Sequence, residues 1–152
     1  MGAIIKIMVR HLSQHARHVM KLAQWEAQRH GQSFVGTEHL LLALVAEGEG
    51  RARRLLIQRG VDVEALRKRI DRLLSTPQEE LVLGKLPISP ALAKVVDFAI
   101  EEAQQGDSSV VGTEHLLMGL MREGEHLASD AVMEAGTGLQ ELRDAAVRQT
   151  KG

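Results

Sequence analysis

Two glutamates of this 152-residue chain, Glu38 and Glu114, stand out for chemistry because each lies inside the same Gly-Thr-Glu-His run. The stretch "VGTEHLLLALVAEGEG" covers residues 35–50, and "VGTEHLLMGLMREGEH" covers 111–126, 76 positions later, with 11 of 16 positions identical. In each copy a threonine precedes an apolar run. That pattern predicts helix N-caps at Thr37 and Thr113, with the glutamates in the first turn. A carboxylate there is favoured by the helix dipole, by roughly 0.3–1 kcal/mol. Capping alone would accept Asp, Ser or Gln nearly as well, so keeping the whole tetrapeptide twice points to a second demand. A helix N-terminus attracts an anion, and a neighbouring carboxylate seats a cation. A ligand with a guanidinium beside a phosphate would satisfy both.

The two sites are expected to be unequal. Arg51, Arg53 and Arg54 should fold back near Glu38 and steer a doubly charged phosphate toward it. Glu114 should have only Arg122 and His126 for company, among Glu123 and Glu125. His39 and His115 are read as half-buried side chains bonded to a neighbouring turn, without a catalytic or metal role. His11, His15 and His18 fall on one helical face, which we read as a solvated face rather than a metal site. No second histidine follows Glu-His at zinc-helix spacing. Gly84-Lys85 lacks the upstream glycine and the Ser/Thr of a phosphate loop. The residues carry no catalytic signature, so no metal, no cofactor and no enzyme activity is expected.

The elements that would hold these residues are helical. Trp25, Phe34 and Phe98 are the only aromatics, which leaves the core to aliphatic ridges and favours helices over a β-sandwich. Ser13 should cap a helix striped with Ala16, Val19, Met20, Ala23 and Ala27 and ended by Gly31. A second, from Thr37, has Leu40, Leu41, Leu44 and Val45 on one face and stops at Gly48. A third runs from about Arg51 to Arg59, closed by Gly60. Asp62 caps a fourth, with Val63, Leu66, Ile70 and Leu73 inward. The offset of 76 then repeats the set from Ser89-Pro90, punctuated by Gly106, Gly124 and Gly136. A single ungapped offset over some fifty positions indicates tandem duplication. We therefore expect one all-α domain over 1–152. Its first repeat spans about 12–74, its linker about 75–88 and its second repeat about 89–149, behind an extension of residues 1–11.

Charge is uneven. Residues 1–76 carry 13 Lys/Arg against 7 Asp/Glu, whereas residues 77–152 carry 6 against 13. Opposite halves attract each other in one compact unit, and no aromatic–basic interleaving suggests nucleic acid. No segment suits a membrane span or a signal peptide, and cysteine is absent, so a cytoplasmic protein is expected.

Two tandem units reading "HGQSFVGTEHLLLALVAEGEG" and "GDSSVVGTEHLLMGLMREGEH", each followed by a glycine-ended helix and a capped fourth helix, resemble the Clp N-terminal repeat domain. Among the AAA+ unfoldases of the Clp family, the ClpC branch is the nearest likeness, and the resemblance covers about residues 12–149. It implies two pseudo-twofold-related four-helix repeats. It also implies a non-catalytic protein-binding role: receiving substrates and docking adaptor proteins for Clp ATPase and peptidase subunits. In ClpC-like members the motif glutamates help bind phosphorylated arginine, which here assigns Thr37, Glu38, Thr113 and Glu114 to ligand binding. Arg51, Arg53 and Arg54 would steer the phosphate. A purely architectural subunit that caps or stabilises a Clp assembly is the alternative. Relatives usually open with a phenylalanine-bearing segment, which Met1–His11 replaces here without an aromatic. The missing ATPase motifs fit either an excised N-domain or a free-standing relative without a motor, and that opening with the end at Lys151-Gly152 favours the free-standing case.

Overall fold

The structure is a computed structural model that describes residues 11–74, 85–124 and 126–151, with side chains described as far as 147. Most of the expected extension and linker lies outside these residues. The described chain forms eight helices: α1 (Gln14–Arg29), α2 (Thr37–Ala46), α3 (Arg51–Gln58), α4 (Val63–Leu74), α5 (Pro90–Gln105), α6 (Thr113–Glu123), α7 (Leu127–Glu134) and α8 (Leu139–Lys151). The all-α reading holds.

Local chemistry sets the helix ends. Ser13 accepts from Ala16 N at 3.0 Å and Ser89 from Leu92 N at 3.1 Å, so α1 and α5 start alike. Asp62 accepts from Ala65 N at 3.1 Å to open α4. Gly31 (φ 66°) makes the left-handed turn after α1, whereas after α5 the same turn falls on Asp107 (φ 56°) rather than on Gly106. Aspartate is among the few residues that tolerate this conformation.

The core is built around α2 and α6. Every residue of α2 from His39 to Val45 is buried, as is every residue of α6 from Leu116 to Met121. The expected single apolar face of α2 is therefore too narrow a description. A helix apolar all round belongs in the middle of a fold. Leu73, expected inward, is 47% exposed, while Val63, Leu66 and Ile70 do point into the core.

Two short pairings lock the repeats together. Ser13 N donates to Val111 O at 2.9 Å and Val111 N to His11 O at 2.8 Å. In the mirrored place, Ser89 N donates to Val35 O at 2.8 Å and Val35 N to Pro87 O at 2.9 Å. The segment entering the first helix of each repeat thus bonds the segment entering the second helix of the other. This exchange makes one unit of two repeats.

Where α5 and α6 meet, Gly119 has no room for a side chain. A Cβ there would collide with Val95 O and stand 3.3 Å from the Ala99 Cβ. Gly119→Ala should destabilise the protein by about 1–3 kcal/mol. Gly48→Ala, whose Cβ would meet nothing within 4 Å, should stay within about 0.5 kcal/mol of wild type. Urea denaturation compares the two; equal midpoints would contradict this packing.

Candidate functional site

The two Gly-Thr-Glu-His runs fold almost identically, but not with threonine as the cap. Gly36 and Gly112 are the N-caps, in extended conformation, and Thr37 and Thr113 are the first helical residues. The histidines take over the local bonding. His39 Nδ1 accepts from Gly36 N at 2.8 Å, and His115 Nδ1 accepts from Gly112 N at 2.9 Å. This is the returning half of a capping box, with imidazole in place of Glu or Gln. Both threonines are buried. Thr113 Oγ1 accepts from Ala52 N at 3.0 Å and so caps α3 of the other repeat. Gly50, the N-cap of α3, has no side chain to do this, and a Cβ there would stand 3.0 Å from that hydroxyl. The matching residue ahead of α7 is His126, whose Nδ1 accepts from Ser129 N at 3.0 Å.

The glutamates differ. Glu114 is 6% exposed, and its carboxylate folds back over Gly112, where any Cβ would collide with it. Arg51 Nη1 donates to Glu114 Oε2 at 3.0 Å. Glu38 is half-buried and pairs with no cation among the described residues. The expected placement is thus corrected: Arg51 stands at the second motif, because α3 packs across on α6 and α8. Arg53 Nε donates to Val45 O at 3.2 Å and Arg54 Nη2 to Glu49 O at 3.0 Å, so neither serves Glu38. Arg122 is not beside Glu114 either. It bonds Glu101 and Glu102 at 3.0 and 3.1 Å and lies over the Phe98 ring.

A cleft of about 660 Å³ opens beside the second motif. Arg51, Arg54, Glu114, His115 and Arg143 supply its polar wall, and Val110, Met118 and Val147 its apolar one. Buried Glu102 forms its floor, taking Arg143 Nε and Nη2 on its two oxygens, each at 2.8 Å. The forked Arg143 bond, against the opposing effect of burial, holds the Glu102 carboxyl below its ordinary range. This pair was missed from sequence, although Glu26/Glu102 and Arg67/Arg143 both recur at the 76-residue offset. In the first repeat Glu26 instead takes Arg29 at 2.8 Å.

His15 and His18 of α1, with His11 lying before that helix rather than on its face, meet the end of α2 in the same repeat. His15 Nδ1 lies 2.8 Å and His18 Nδ1 3.6 Å from Glu47 Oε2, at the end of α2. Donor atoms of Glu26, His30 and Asp71 lie within 4.8 Å of one another, a spacing that suits a metal ion. The Arg29 guanidinium already spans those two carboxylates, at 2.8 and 2.7 Å.

His39 adds a titration. Its Nδ1 accepts, so Nε2 carries the proton, buried and without a partner among the described residues. Burial, with the nearby His30 ring, pushes its pKa down to about 4. A folded-state pKa below the unfolded one means the unfolded chain binds the extra proton. The stability contribution is complete above the ordinary value of 6.5 and is lost as pH falls toward about 4; it amounts to roughly 3 kcal/mol. His39→Asn keeps an acceptor for Gly36 N without titrating. Its stability between pH 7 and 4.5 should fall less steeply than that of wild type. Parallel slopes in denaturant melts would contradict the assignment.

Residues 11–135 match the family described as the Clp repeat (R) N-terminal domain. The ClpC/MecB negative regulator of genetic competence from Bacillus subtilis is 39% identical over 131 residues, 86% of this chain and 16% of that protein. The chloroplastic chaperone protein ClpC1 of Arabidopsis thaliana is 34% identical over 144 residues, 95% of this chain and 15% of that one. This chain therefore spans about one-sixth of the length of such relatives. Among solved structures, the N-terminal domain of ClpD from Arabidopsis thaliana superposes with a TM-score of 0.73 at 24% identity, covering 94% of this chain and 96% of that one. The Hsp104 N-terminal domain from Candida albicans gives 0.75 at 18%, covering 91% of each. A ClpV N-domain solved with a VipB peptide gives 0.73 at 16%, covering 91% and 86%. Among the described residues no helix is long and apolar enough to cross a membrane. Matched over most of its length and carrying the repeated motif at both helix starts, the chain belongs to the Clp repeat (R) N-terminal domain family.

Proposed function

We propose that this chain is a non-catalytic protein-binding module of a Clp unfoldase system. It receives substrates or adaptor proteins for Clp ATPase and peptidase subunits, and its two motif glutamates seat the guanidinium of phosphorylated arginine. The observation that carries the reading is the Arg51–Glu114 contact: a guanidinium already rests on the motif carboxylate at 3.0 Å. The cleft around it offers further cations for a phosphate and apolar wall for the flanking peptide. The neighbour solved with a VipB peptide shares the fold, so a peptide ligand fits the architecture.

The basic residues favour the second site over the first. Glu114→Ala should weaken binding of a phosphoarginine peptide by about 1.5–3 kcal/mol, the range of a bond to a charged group. Glu38→Ala should cost less. Fold stability should fall by no more than about 1 kcal/mol in either variant. Isothermal titration with thermal melts reads both quantities. No binding by wild type would leave the glutamates as helix-start residues, and capture of ring subunits alone from an extract would favour the architectural role.

A further inference from the structure

We propose that Arg51 makes the Glu114 site selective for phosphorylated over unmodified arginine. The inference rests on the guanidinium-seat reading above. Glu114 is nearly buried, whereas the Arg51 side chain is 49% exposed and can leave the carboxylate without disturbing the core. Any guanidinium that docks on Glu114 must first displace this one.

The exchange treats the two ligands differently. An unmodified arginine replaces one guanidinium by another, and Arg51 is released to water with nothing in return. That ligand gains no net ion pair. A phosphoarginine carries its phosphate on the same guanidinium, within a few ångströms of the displaced Arg51. The released side chain can then pair with the phosphate, and Arg54 lines the same cleft. One carboxylate and two arginines meet one guanidinium and one phosphate, so every charge finds a partner.

Two further observations single out Arg51. It is the first residue of α3, at the positive end of that helix's dipole, a place that disfavours a cation. Pairing with Glu114 offsets this, and so would pairing with a phosphate. The repeat also supplies a comparison within the molecule. The residues 76 positions after Arg51 and Arg54 are Leu127 and Asp130. Among the described residues Glu38 accordingly has no resident guanidinium to displace and no equivalent basic pair for a phosphate. The Glu38 site accepts a guanidinium without asking for phosphorylation.

The test isolates the second site. The 152-residue Glu38→Ala chain is titrated with one peptide in two forms, carrying arginine or phosphoarginine. The phosphorylated form should bind at least about tenfold more tightly, the value of one added charge-assisted bond. Adding Arg51→Ala should shrink that ratio to within about threefold, because phosphoarginine loses a partner and arginine loses a competitor. Arg51→Lys should restore part of the ratio, and thermal melts of every variant confirm folding. An unchanged ratio after Arg51→Ala would overturn the role of Arg51 while leaving the phosphoarginine site standing. Absence of binding by wild type and all variants would overturn the site itself, and the selectivity with it.

Discussion

The structure depends on a reciprocal exchange of backbone hydrogen bonds between its two halves. Leu12 beside Val111, and Val35 beside Ile88, are pairings of one residue each. Yet each lies where the chain turns into a motif helix or into the first helix of a repeat. Shifting either register would move Ser13 or Ser89 off its cap, and Gly36 or Gly112 off the helix start. A buried backbone group left unpaired costs about 1–3 kcal/mol, so the arrangement is tightly specified. The motif sites inherit their geometry from it.

The exchange also explains why the second motif is built from both repeats. Thr113 caps α3, Arg51 from α3 covers Glu114, and Gly50 is small enough to let the hydroxyl approach. A duplicated sequence would ordinarily yield two equal sites. Here a few substitutions at matched positions break the equality: Gly50 against His126, Arg51 against Leu127, Arg54 against Asp130. The scaffold stays symmetric because the buried positions that differ, such as Leu42 against Met118 and Val45 against Met121, exchange one apolar side chain for another. Duplication supplies the frame, and the helix starts supply the difference.

Much of this was legible in the sequence. Periodicity, Ser13, Asp62 and Ser89 as caps, and the 76-residue offset locate the helices and the motif. The fold class followed from those signals. What periodicity could not reveal is which repeat a side chain serves. Arg51 follows the first motif closely in sequence, yet it serves the second, because α3 crosses over. The cap lies one residue before the one the sequence pattern points to, for a related reason. Thr37 and Thr113 look like caps locally, but the histidine two positions on satisfies the glycine N–H, which frees Thr113 to bond another helix. Tertiary contacts outcompeted a local preference. Leu73 shows the same limit, since a position on an apolar stripe in the last turn of a helix need not be covered.

One spectrum bears most directly on the idea that the motif carboxylates are guanidinium seats. In an amide and arginine-side-chain NMR titration of the wild-type chain with phosphoarginine, the Gly112 and His115 amides and the Arg51 Nε–H should shift together at the same ligand concentration. The Gly36 and His39 amides should respond more weakly. Shifts confined to other surfaces, or an Arg51 signal unmoved while Gly112 responds, would contradict it.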